Sequence, residues 1–111
     1  MVSYEEFAAL DIRIGTVLEA EDVPKSRNLL KLKVDLSEPQ PRQIIAGISK
    51  EYRPEEMLGR KVVVLANLAP RKLMGLESQG MLLAADVDDK AVLLKVDEKY
   101  SDKVQPGSKV R

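Results

Sequence analysis

Apolar and polar residues along this chain fall into short runs with two distinct periods. Ser3-Tyr4-Glu5-Glu6 has the form of a capping box, and Tyr4, Phe7, Ala8 and Leu10 follow at helical spacing, which predicts a short amphipathic helix. From Ile12 the period drops to two. Ile12, Ile14, Thr16, Leu18 and Ala20 alternate with Arg13, Gly15, Val17 and Glu19, the pattern of a half-buried strand. Pro24 to Asn28 reads as a polar loop. In the next strand Leu30, Leu32, Val34 and Leu36 share one face, while Lys31, Lys33 and Asp35 share the other. The prolines of Ser37-Glu38-Pro39-Gln40-Pro41 exclude a central strand and mark a turn.

A third strand is expected over Arg42 to Ile48. Pro54 to Gly59 reads as one or two helical turns, with proline near the start and glycine at the stop. Val62 to Ala66 is apolar at both parities and predicts a strand buried on both faces. Pro70 to Gln79 reads as a loop. Met81 to Ala85 and Ala91 to Val96 read as a strand pair around an Asp88-Asp89 turn, and Pro106-Gly107 closes a polar tail. Five or six short strands with a helix after the third fit an all-β, five-stranded OB-fold barrel carrying N- and C-terminal extensions. A small β-sandwich is the alternative, but it gives no reason for a helix at that place. The 111 residues suit a single domain, and no repeat or linker divides them.

Composition narrows the chemistry. With no Cys and no His, thiolate nucleophiles, disulfides, Cys-based zinc sites and Ser–His–Asp catalysis are excluded. No nucleophile–base pairing stands out, so an enzyme is not expected, and nothing calls for a metal or cofactor. The start of the chain is acidic and has no apolar signal region, and no apolar run approaches the roughly 20 residues of a membrane span. A cytoplasmic protein with no membrane partner is expected.

Eighteen basic and 18 acidic side chains give zero net charge, which by itself argues against a nucleic-acid partner. The distribution is uneven, however. Residues 1–22 sum to −5, residues 23–80 to +5 and residues 81–111 to zero. Lys31 and Lys33 share one strand face, and Arg71-Lys72 is a dibasic step in the loop that carries Ser78 and Gln79. The aromatic residues Tyr4, Phe7, Tyr52 and Tyr100 all lie outside the expected strands, so the sheet offers no base-stacking platform. Any RNA would be read through phosphates, 2′-hydroxyls and a few base edges by groups such as Asn28, Ser49, Ser78 and Gln79. Gly75 to Gly80 lacks the ending of a phosphate loop, and Asp86, Asp88 and Asp89 suit a solvated turn better than a cation site. Met57, Met74 and Met81 read by default as core fillers.

Four stretches resemble one family: Leu10 to Val17, Asn28 to Asp35, Arg42 to Ile48, and the long run Val64 to Met81. The family is the tRNA-binding domain found at the C-terminus of many methionyl-tRNA synthetases and in stand-alone dimeric tRNA-binding proteins. The resemblance implies an OB-fold module that binds the folded shape of tRNA with little sequence choice. It implies a homodimer built through the terminal extensions, standing alone or as part of a methionyl-tRNA synthetase. Matched residue by residue, it places Asn28, Lys31, Lys33, Arg42, Lys72, Ser78, Gln79 and Met81 on the RNA face. Pro39-Gln40-Pro41 departs from the Gly/acidic hairpin more usual in the family. A chaperone-like protein of the same fold, binding unfolded polypeptides for export, is the alternative function.

Overall fold

The capping box forms as its residues require: Glu6 N–H donates to Ser3 Oγ and Ser3 N–H donates to Glu6 Oε1, starting helix α1 at Tyr4–Ala8. The computed structural model describes residues 1–111. Strand β1 (Ile12–Asp22) follows, then β2 (Leu30–Asp35) and β3 (Arg42–Ala46). Helix α2 (Pro54–Met57) leads into β4 (Lys61–Leu65), with Pro54 in its first turn as expected. A hairpin of β5 (Arg71–Leu73) and β6 (Leu76–Ser78) precedes β7 (Met81–Leu82). A second hairpin, β8 (Ala84–Val87) and β9 (Lys90–Leu93), is followed by a 3-10 helix at Glu98–Lys103.

Five antiparallel strands run in the order β3-β2-β1-β4-β7 and curl into a nearly closed barrel, with α2 between the third and fourth strands. This is the OB architecture expected, not a sandwich. The interior is packed by Leu30, Leu32, Val34, Leu36, Ile44, Met57, Val62 and Val64, so β2 buries the face predicted. Met57 is the core filler among the methionines, while Met74 and Met81 are exposed.

Strand β1 corrects the simple two-residue period. Its Ile12 and Ile14 join Val63 in a separate outer cluster covered by Phe7, Val104 and Val110, whereas Val17 faces the barrel interior. The register shifts between Val17 and Glu19, leaving Leu18 exposed and Ala20 turned to the core. A bulge inserts one residue and so reverses which parity faces inward. Both faces of the first half of β1 are therefore buried. Two further expectations change. Pro70 to Gln79 is not a plain loop but holds the β5–β6 hairpin, turned at Met74 (φ 52°) and Gly75 (φ 79°). The expected strand Met81–Ala85 divides at Leu83 between the barrel and the second hairpin, whose Asp88-Asp89 turn is as predicted.

Candidate nucleic-acid interface

The last gap in the barrel, between β3 and the end of the β5–β6 hairpin, is bridged largely by side chains. Ser78 is 3% exposed; its hydroxyl accepts from Ile45 N–H at 3.0 Å and donates to the Gly80 carbonyl at 3.0 Å. Gln79 N–H donates to the Gln43 carbonyl at 2.8 Å, and Gln43 N–H donates back to Gln79 Oε1 at 2.9 Å. Gln43 Nε2 reaches the Glu77 carbonyl at 2.9 Å. Arg42 is held just as firmly. Its Nε and Nη2 donate to the two Glu38 oxygens, each at 2.8 Å, and its Nη1 donates to the Ala66 and Gln79 carbonyls.

Glu38 also accepts from Arg13, which forks onto Asp11 with a 2.6 Å ion pair. The hydrogen bond from Arg42 is the main cause holding the Glu38 carboxyl below its usual range; the Arg13 hydrogen bond does the same for Asp11. That chain of charges ties the start of β1, the Ser37–Pro41 turn and β3 together. Ser78 and Arg42 thus have their side-chain polar atoms committed to the barrel itself, and Gln79 commits its Oε1 while its Nε2 makes no hydrogen bond within the chain.

The other sequence-derived residues lie on open surface. Lys31 and Lys33 project from the outer face of β2, where the register sets them opposite Glu21 and Glu19 of β1. Lys31 Nζ pairs with Glu21 at 2.6 Å, whereas Lys33 Nζ donates to Gln43 Oε1 at 3.2 Å and forms no ion pair. The carboxylates in the second half of β1 therefore lie beside the basic strand. On the hairpin, Lys72 is exposed and sits opposite Glu77, next to exposed Arg71. Lys33, Gln43, the Glu77 backbone and Lys72 form one continuous strip across β2, β3 and the hairpin.

Arg71, Met81 and Ile45 border a recess beside that strip. Asn28 approaches Gly47 of its lining, with its Nδ2 3.4 Å from where a side chain on Gly47 would begin. Gln43 is the surface residue that sequence reasoning passes over, whereas Arg71 stands out there as half of the dibasic step. The signal for Gln43 was its shared outward parity with Lys33 across the strand pair.

The family model for a putative tRNA binding domain matches residues 12–108. The chain belongs to the tRNA-binding domain family. It is 54% identical over 109 residues to the methionine–tRNA ligase of Archaeoglobus fulgidus and 53% identical over 109 residues to that of Thermotoga maritima. Each match covers 98% of this chain but 16% of the ligase, so this tRNA-binding domain spans about one sixth of those relatives. Among solved structures, a methionyl-tRNA synthetase-related protein from Pyrococcus horikoshii superposes with a TM-score of 0.88 at 36% identity, covering 100% of this chain and 98% of that one. The chaperone CsaA of Bacillus anthracis superposes with a TM-score of 0.86 at 31% identity, covering 100% and 99%. No helix is long and apolar enough to cross a membrane.

Proposed function

We propose that this chain is a single-domain, non-catalytic module that binds tRNA in the cytoplasm, reading folded shape with little sequence choice. The observation that carries the reading is the strip from Lys33 to Lys72, with Arg71 at the recess beside it, none of the three forming an ion pair. Such cations suit phosphates at the corner of a structured RNA, and the barrel sheet offers no stacking aromatics that would favour a single strand. Of the residues matched to the family, Lys33, Lys72, Asn28 and Met81 are the ones free to touch RNA, and Lys31 joins them by releasing Glu21. Arg42, Ser78 and Gln79 shape the surface from behind.

A homodimer would place two such strips on one RNA and raise avidity. Tyr4 and Leu10, which are 77% and 41% exposed beside the outer cluster, support an interface at the N-terminal extension. The same module would serve as the C-terminal domain or a separate subunit of a methionyl-tRNA synthetase. A second reading, binding of unfolded polypeptide, is supported by the likeness to CsaA.

A mobility-shift titration of unmodified tRNA at two salt concentrations tests the first reading. Binding that weakens with salt, and weakens further in the double variant Lys33→Ala with Lys72→Ala, is expected. No shift at low salt removes it. Sedimentation showing only monomer at micromolar concentration removes the homodimer.

A further inference from the structure

The recess bordered by Arg71 and Met81 has a volume of about 230 Å³. Its floor is Ile45, Ile48, Leu82 and Leu93. One wall is the β8–β9 hairpin, which two side chains hold against the barrel: Glu51 Oε1 accepts from Ala91 N–H at 2.9 Å, and Tyr52 Oη accepts from Leu93 N–H at 3.0 Å. The recess is therefore a fixed feature between two anchored elements. It is smaller than the roughly 300–1,000 Å³ of sites for drug-sized ligands, so it suits a single ring.

We propose that this recess receives one unpaired nucleobase of the bound RNA. The inference rests on the RNA-binding reading above and extends it. Three observations select a base as occupant. Apolar side chains line the floor, which accepts a planar ring. The one charged residue in the lining is Arg71 and the lining contains no carboxylate, so the border favours a group attached to phosphate. Arg71 can stack on the base or hydrogen-bond its edge. Beside Gly47 of the lining, the Asn28 side-chain amide makes no hydrogen bond within the chain and offers a donor and an acceptor. Met81 at the rim, 42% exposed, adapts to whichever ring enters. A sheet without stacking aromatics would thus gain one base contact beside its phosphate contacts.

The experiment uses two RNA hairpins with the same stem. One carries a single bulged 2-aminopurine; the other carries an abasic ribose at that position. The full chain is expected to bind the first about fivefold or more tightly, a typical lower limit for one base contact. The 2-aminopurine emission should change on binding. Ala84→Leu, which fills the recess from the exposed start of β8, should abolish the difference between the two RNAs while binding of a plain duplex stays unchanged. Arg71→Ala should reduce the difference without altering the thermal midpoint.

Equal affinity for the two RNAs in the unaltered chain overturns the base pocket and leaves the tRNA reading standing. No binding of any RNA overturns both. Displacement of the 2-aminopurine signal by an uncharged apolar peptide, with no preference between the two RNAs, assigns the recess to polypeptide and overturns the proposal.

Discussion

The Ser78 hydroxyl accepts the Ile45 main-chain N–H at 3.0 Å inside the barrel wall, 3% exposed. A group in that position holds the wall together and has no surface to offer a ligand. Ser78→Ala leaves the Ile45 donor and the Gly80 carbonyl without their partner, which costs about 1–3 kcal/mol. A lower urea midpoint is expected with RNA affinity unchanged at temperatures where the variant is folded. Lost affinity in a fully folded variant would contradict this account.

Glu21 restrains Lys31 on the outer sheet face through a 2.6 Å ion pair. Exposed pairs of this kind are worth about 0–1 kcal/mol, so freeing the lysine is inexpensive. Glu21→Gln should therefore tighten RNA binding by up to about fivefold and steepen its salt dependence. Lys72→Ala should do the opposite, flattening the salt slope by about one counterion. A salt titration of both variants checks the two signs together.

Asp11 and Glu38 should make stability fall in acid. Both carboxyls are held below their usual range, Asp11 chiefly by its hydrogen bond to Arg13 and Glu38 chiefly by its hydrogen bond to Arg42. Between the native and unfolded pKa values the unfolded chain binds more protons, so stability rises with pH there. The contribution is complete above the ordinary carboxylate range, about pH 4, and is lost as the pH falls through the native values. Urea midpoints measured from pH 7 downward should be flat and then drop. In Asp11→Asn with Glu38→Gln the neutral-pH midpoint should be lower and the acid drop shallower.

Gly15 faces the interior of β1, where an added Cβ would lie 2.5 Å from Val34 Cγ1 and 2.9 Å from Leu36 Cδ2. Gly15→Ala forces those buried side chains to move and should destabilise the barrel by about 1–3 kcal/mol. Thermal unfolding measures it, and an unchanged midpoint would show that β2 can shift.

Much of this architecture is legible in residue order because local chemistry and global packing agree. Leu30, Leu32 and Val34 alternate with lysines and bury as their period requires; Ser3 and Glu6 cap the helix they announce. Agreement ends where tertiary structure supplies a second layer. Ile12 and Ile14 are apolar because α1 and the C-terminal tail cover them, not because they face the barrel interior. The bulge at Leu18 then changes the parity midway, and a pattern count has no means of registering an inserted residue. The candidate site divides along the same line. The outward placement of Lys31 and Lys33 follows from β2 alone, but their acidic neighbours depend on the β1 register. Ser78, Gln79 and Arg42 look like surface groups in a sequence because bonds that hold them to the barrel reach residues more than 20 positions away.

The C-terminal tail also governs when the fold can be completed. Gly107 and Val110 donate their N–H groups to Ile14 and Ile12, and Ser108 accepts from Ile14. These contacts join residues nearly a chain length apart, the kind of closure that slows folding. During synthesis from the N-terminus, residues 107–110 emerge after the barrel strands, so the outer face of β1 is only partly covered until they arrive. A nascent chain stalled before Gly107 would leave the Ile14 N–H and the Ile12 and Ile14 carbonyls without these partners. Residues 107–110 thus complete the cover that shields strand β1 from aggregation.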